Sequence, residues 1–134
     1  MVQERKQLAA AVLLVEAARL DGRVEDVERE AIRRALQVHF ALDDEEAAAL
    51  LAMGEEKAAD ATSLVPFTRA IKENYDPQER VEIVEMLWEV VYADKILHEL
   101  EDNLLRRIGG LIYVSDRERA EARKRVLRRL GLEQ

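Results

Sequence analysis

One stretch of this chain occurs twice, and that repetition constrains its fold more than any other feature. Asp21-Gly22-Arg23-Val24-Glu25-Asp26-Val27-Glu28, followed by Arg33-Arg34, returns 73 residues on as Asp94-Lys95-Ile96-Leu97-His98-Glu99-Leu100-Glu101, followed by Arg106-Arg107. In both copies an Asp ends an apolar run, a Glu stands seven residues later, and an Arg pair follows at the same distance. Glu16 pairs with Glu89 in this register, Asp43 with Asp116, Glu45 with Glu118, Ala47 with Ala120 and Ala49 with Ala122. Apolar residues meet apolar ones between them: Val24 and Leu97, Val27 and Leu100, Ile32 and Leu105, Ala35 and Ile108, Val38 and Leu111. This is the signature of an internal duplication.

A chain of 134 residues can bury one core without metal or disulfide staples, but not two independent ones. The expectation is therefore a single domain, 1–134, with half-repeats at about 2–61 and 76–131 and a connector at 62–75. There is no cysteine, which removes disulfides, thiolate metal sites and Cys nucleophiles. Charged residues make up 37% of the chain and aromatics 4%, with only five Gly and two Pro, the profile of an all-α protein. A formal net charge of −7 argues against a general nucleic-acid binder, because neutralising phosphates needs a basic surface. The charge is uneven. Arg117, Arg119, Arg123, Lys124, Arg125, Arg128 and Arg129 crowd the last helical segment, whereas Asp43 to Asp60 is acidic.

Arg5 and Lys6 followed by Leu8 to Val15 have the outline of a signal peptide. Glu16 interrupts the run, no clear cleavage site follows, and the segment has a repeat partner at 81–91, so it reads as a folded core helix. The run is far short of the ~20 apolar residues that span a bilayer. A cytoplasmic location is the expectation.

Seven helices are predicted, at about 2–20, 25–40, 44–61, 64–74, 77–93, 99–111 and 116–130, and no segment alternates like a strand. The first and fifth are apolar nearly all round and should be central. In the second, Val24, Val27, Ala31, Ile32, Ala35 and Val38 recur at helical spacing. Asp43 with Glu46, and Asp76-Pro77 with Glu79, are helix starts of the capping-box kind. Gly54 weakens the middle of the third helix. Trp88, Tyr92 and Tyr113 read as core.

Asp21, Glu28, Asp94 and Glu101 occupy matching corners. If the corners converge, four carboxylates could hold one hard cation such as Ca²⁺ or Mg²⁺, which prefers oxygen donors. If they stay apart, each corner offers one Asp and one Glu. The same residues also fit a purely structural role, since Glu28 and Glu101 lie in first helical turns and Asp21 and Asp94 in tight turns. Glu16 and Glu89 interrupt apolar runs at equivalent positions and form a second tier, each needing solvent, an Arg or a cation. An EF-hand is excluded, because Arg23 stands where an oxygen ligand is required and Asp26 where the sharp turn needs a Gly. His39 and His98 are not repeat equivalents, no nucleophile arrangement or phosphate loop exists, and no enzyme is expected.

Ala18-x-x-Asp21-Gly22-x-Val24-x-x-x-Glu28, Phe67-Thr68-Arg69, Glu79-Arg80, Leu87-Trp88-Glu89-Val90-Val91-Tyr92-Ala93-Asp94, and Glu101 with Arg106-Arg107-Ile108 together resemble the TerB family of tellurite-resistance proteins, most of all its short single-domain bacterial branch. The resemblance implies a compact bundle of about seven helices, similar also to the N-terminal domain of a membrane-anchored DnaJ-like co-chaperone. It further implies a role in bacterial chemical stress and metal handling, with Asp21, Glu28, Asp94 and Glu101 as cation ligands. Lys95 stands where the family pattern favours Gly, and His98 where an acidic or polar cap is usual.

The expected function is thus that of a non-enzymatic TerB-like protein of the tellurite and chemical-stress response. It would bind Ca²⁺ or Mg²⁺ weakly and engage protein partners, with no nucleic acid and no transmembrane segment. The alternative is an ion-independent adaptor that docks partner proteins or a second copy of itself through the basic last helix and the acidic stripe of Glu82 and Glu85, with an anionic membrane surface as a lesser target of that basic helix.

Overall fold

The computed structural model describes residues 2–19, 24–93 and 99–132, with side chains for 6–19, 24–93 and 103–132. Within them the chain forms α1 (Val2–Ala18), α2 (Asp26–Phe40), α3 (Asp44–Asp60), α4 (Val65–Asn74), α5 (Pro77–Val91), α6 (Glu99–Leu111) and α7 (Asp116–Arg129). No strand occurs among the described residues.

The starts follow from local chemistry. Asp43, Asp76 and Ser115 each accept a hydrogen bond from the backbone N–H three residues on, while the carboxylates of Glu46, Glu79 and Glu118 each accept one from the backbone N–H of the cap residue. Each box satisfies N–H groups that an isolated first turn leaves open. Ser63 Oγ accepts the Val65 N–H at 3.1 Å and so helps to start α4.

α1 and α5 pack against each other at the centre and carry most of the core. α3 lies on α1, α7 lies on α5, α2 bridges α3 and α5, and α4 spans α1 and α6. Ala9 to Val15, Ala17 and Ala18 are buried in α1, as are Val81, Ile83 to Trp88, Val90 and Val91 in α5. From Ala10 and Ile83 onward the two patterns coincide at a separation of 73. Glu16 and Glu89 are the matching half-buried breaks in the two runs.

The register does not hold without a gap to the end. Ile32, Ala35 and Leu36 of α2 match Leu105, Ile108 and Gly109 of α6 at 73, but the next elements match at 72. Ala41 (φ 52°) corresponds to Tyr113 (φ 62°), the cap Asp43 to Ser115, and buried Ala47, Leu50 and Gly54 to buried Arg119, Ala122 and Val126. The expected pairs Asp43–Asp116, Glu45–Glu118, Ala47–Ala120 and Ala49–Ala122 are therefore each displaced by one residue. The bond that closes each preceding helix shows where: Leu42 N–H donates to Gln37 O and Val114 N–H to Gly109 O. The second half is one residue shorter at that junction.

Three further expectations change. Gly54 is not a weak point, because a Cβ there would stand 2.9 Å from Ala11 Cβ, so the glycine is what lets α3 approach α1. Tyr113 is 68% exposed beyond the end of α6, with Lys72 Nζ 4.7 Å from its ring centre. Of the expected apolar face of α2, only Ile32 and Ala35 are buried. Leu36 and Glu28 complete the core side, and Val27 and Val38 are exposed.

Candidate functional site

Among the four corner residues, Glu28 alone has a described side chain; those of Asp21, Asp94 and Glu101 lie outside the described residues, as does His98. Glu28 sits in the first turn of α2, is 6% exposed, and its Oε1 accepts the Glu25 N–H at 3.0 Å. That bond makes it part of the helix start and fixes the direction of a buried carboxylate. An all-carboxylate set has the hard-oxygen chemistry of Ca²⁺ or Mg²⁺, and Glu28 contributes a carboxylate to it. Among the described residues no group of three or more His, Asp or Glu is arranged to hold a metal ion.

The second-tier residues have partners of another kind. Glu16 faces Arg19 at 3.5 Å, just past the end of α1. Glu89 accepts from Arg129 Nη2 at 2.6 Å and faces His39 Nε2 at 3.5 Å. Burial pushes the Glu89 carboxyl up, but bonds and charge from His39 and Arg129 reverse this and hold it below its ordinary range.

Glu89 belongs to a seam that sequence reasoning missed. Glu85, one turn earlier on α5 and 8% exposed, accepts from Arg129 Nη1 at 2.7 Å and from Arg125 Nη2 at 3.2 Å. Two arginines of the basic last helix thus neutralise two glutamates of the central one. The neighbouring contacts continue the seam: Arg123 Nε donates to Tyr92 Oη at 2.6 Å, and Trp88 Nε1 donates to the Arg119 carbonyl at 3.2 Å. Glu85 and Arg125 are 40 residues apart, so only their helices' opposite charges hinted at the pairing. Glu85 is spent inside the fold, which corrects its expected place on a docking stripe.

Beside the seam opens a groove of about 710 Å³, walled by α2 on one side and by the ends of α5 and α7 on the other. Val27, Ala31, Val38, Tyr92, Ala93 and Leu130 give it an apolar lining, and Glu30, Arg34, His39, Glu89 and Arg129 supply its polar groups. Val27 (49%), Val38 (69%) and Leu130 (38%) are among the large apolar residues most exposed to solvent. The only sequence signal for it was the breadth of the apolar arc of α2, wider than one core contact needs.

This is an all-α bundle with an apolar groove beside the α5–α7 seam, and among the described residues no helix is long and apolar enough to cross a membrane. The model of the family described as "Tellurite resistance protein TerB" matches residues 7–124. The chain belongs to the TerB family. No curated protein matches it, and no solved structure does.

Proposed function

We propose that this chain is a non-enzymatic TerB protein of the bacterial tellurite and chemical-stress response, which binds a divalent cation weakly through its acidic corners and works by engaging protein partners. Family membership supports the cellular role. The cation reading rests on one observation: Glu28 is a buried carboxylate already oriented by the Glu25 N–H, in the copy of the motif that also carries Asp21. If the two corners converge, Asp21, Asp94 and Glu101 would complete the oxygen donors, and a bound cation would offset the mutual repulsion of the carboxylates.

Ion-independent docking through the basic last helix has less support, because Arg125 and Arg129 are committed to Glu85 and Glu89. Calorimetry with Ca²⁺, Mg²⁺ and Zn²⁺ on the wild type and on the Asp21→Asn/Asp94→Asn double variant tests the cation reading. Heat in the wild type that disappears in the variant is expected; no heat from any of the three ions in the wild type overturns it.

A further inference from the structure

The exposed side of α2 has an order that neither the core nor the corners use. Val27, Ala31, Arg34 and Val38 fall at steps of four, three and four residues, which places them on one stripe of the helix beside its buried face. Glu30 flanks that stripe on the same side as Arg34. The order is self-complementary. When the stripe is laid against a reversed copy of itself, Val27 comes level with the other copy's Val38, Ala31 with its Arg34, and Glu30 comes beside its Arg34. In an antiparallel pair related by a twofold axis, like flanks face each other, so both Glu30 and Arg34 find an opposite charge across the interface.

Within one chain this charge pair is poorly made. Arg33 approaches the Glu30 carboxylate closely through Nε and Nη2. Arg34, 72% exposed, stands 3.8 Å from the same carboxylate. The apolar residues of the stripe also line the groove, where Leu130 adds to the exposed surface.

We propose that the protein forms a twofold symmetric homodimer through antiparallel packing of α2 on α2, the ridge of one copy entering the groove of the other. The occupant of the groove is a second copy because charge and apolar groups match under reversal, a property that a surface shaped for an unrelated partner does not need. Val27 and Val38 form the two ends of the contact, about 16 Å apart along the helix. The dimer is independent of the cation reading.

The absence of cysteine in the chain makes the register directly measurable. Val27→Cys and Val38→Cys proteins are prepared separately, mixed and oxidised. A disulfide needs Cα atoms about 5.5 Å apart, so the mixture cross-links through 27 and 38, while neither variant alone does so efficiently. Sedimentation of the wild type at up to about 0.1 mM gives the mass of a dimer. Val38→Glu sediments as a monomer with unchanged helical circular dichroism. Glu30→Arg or Arg34→Glu weakens association about tenfold, and the double exchange restores it.

A wild type that stays monomeric overturns the proposal, whatever else the groove binds. So does a dimer unmoved by Val38→Glu, or cross-linking that is as strong in either variant alone as in the mixture.

Discussion

Arg129 Nη2 donates to the Glu89 carboxylate at 2.6 Å, and His39 Nε2 stands 3.5 Å from the same carboxylate, so one side chain of α5 is tied to both α7 and α2. The carboxyl is held below its ordinary value of 4.5 despite burial. The unfolded chain therefore takes up this proton more readily than the folded one. The stabilisation is complete above the ordinary value and is lost as pH falls from there through the lower folded value. The urea midpoint should decline over that acid range in the wild type. In Glu89→Gln the decline should be shallower and the midpoint at neutral pH lower. Equal slopes for the two proteins would show that Glu89 is not the coupled group.

Trp88 is fully buried, stacks on Tyr92 with ring centres 5.7 Å apart, and donates to the Arg119 carbonyl. Trp88→Phe removes that bond and part of the ring volume and should cost about 1–3 kcal/mol. Trp88→Ala also opens a cavity between α5 and α7, and about 3–5 kcal/mol is expected. Denaturant melts followed by far-ultraviolet circular dichroism measure both without relying on the lost fluorophore.

Gly54 sets two effects of opposite sign against each other. Ala in a helix interior is better than Gly by about 1 kcal/mol. Here the added Cβ would lie 2.9 Å from Ala11 Cβ and 3.2 Å from the Ala11 carbonyl carbon, inside contact distance and partly against backbone that cannot swing away. Overpacking of this kind costs about 1–3 kcal/mol. Gly54→Ala should therefore lower the melting temperature in spite of its helix propensity. Ala11→Gly added to it should recover part of the loss by removing the nearer of the two contacts.

The helices were legible because their signals are local. The apolar runs of 9–18 and 81–91, and Asp-x-x-Glu at Asp43 and Asp76, act within one or two turns of chain, and the helix ends were read to within two residues. What the sequence concealed depends on which neighbour a face meets. Val27 and Val38 have the spacing of core residues, yet the core side of α2 runs through Glu28, Ile32, Ala35 and Leu36. The two stripes are adjacent on the helix, and only the positions of α3 and α5 distinguish them. Tyr113 was misplaced because α6 stops at Leu111, leaving the ring beyond the helix it seemed to belong to. The one-residue shortening before α7 escaped notice since Ala, Glu and Asp are so frequent here that a shifted alignment still finds identities. At the candidate site, Glu28 was legible as both a cap and a ligand, and spacing alone could not separate the two roles.

Those roles respond differently to substitution. As a cap, Glu28 needs an oxygen that accepts the Glu25 N–H; as a ligand, it needs its negative charge. Glu28→Gln keeps an acceptor of nearly the same size and removes the charge, so its stability cost should be that of the helix-dipole interaction, about 0.3–1 kcal/mol. Glu28→Ala loses the hydrogen bond and leaves space at a position only 6% exposed, so it should cost more, about 1–2 kcal/mol. If the corner binds a cation, calorimetric affinity falls at least tenfold in Glu28→Gln while the protein stays folded. If Glu28 only caps α2, Gln and wild type bind alike, and the two variants differ from each other in stability alone.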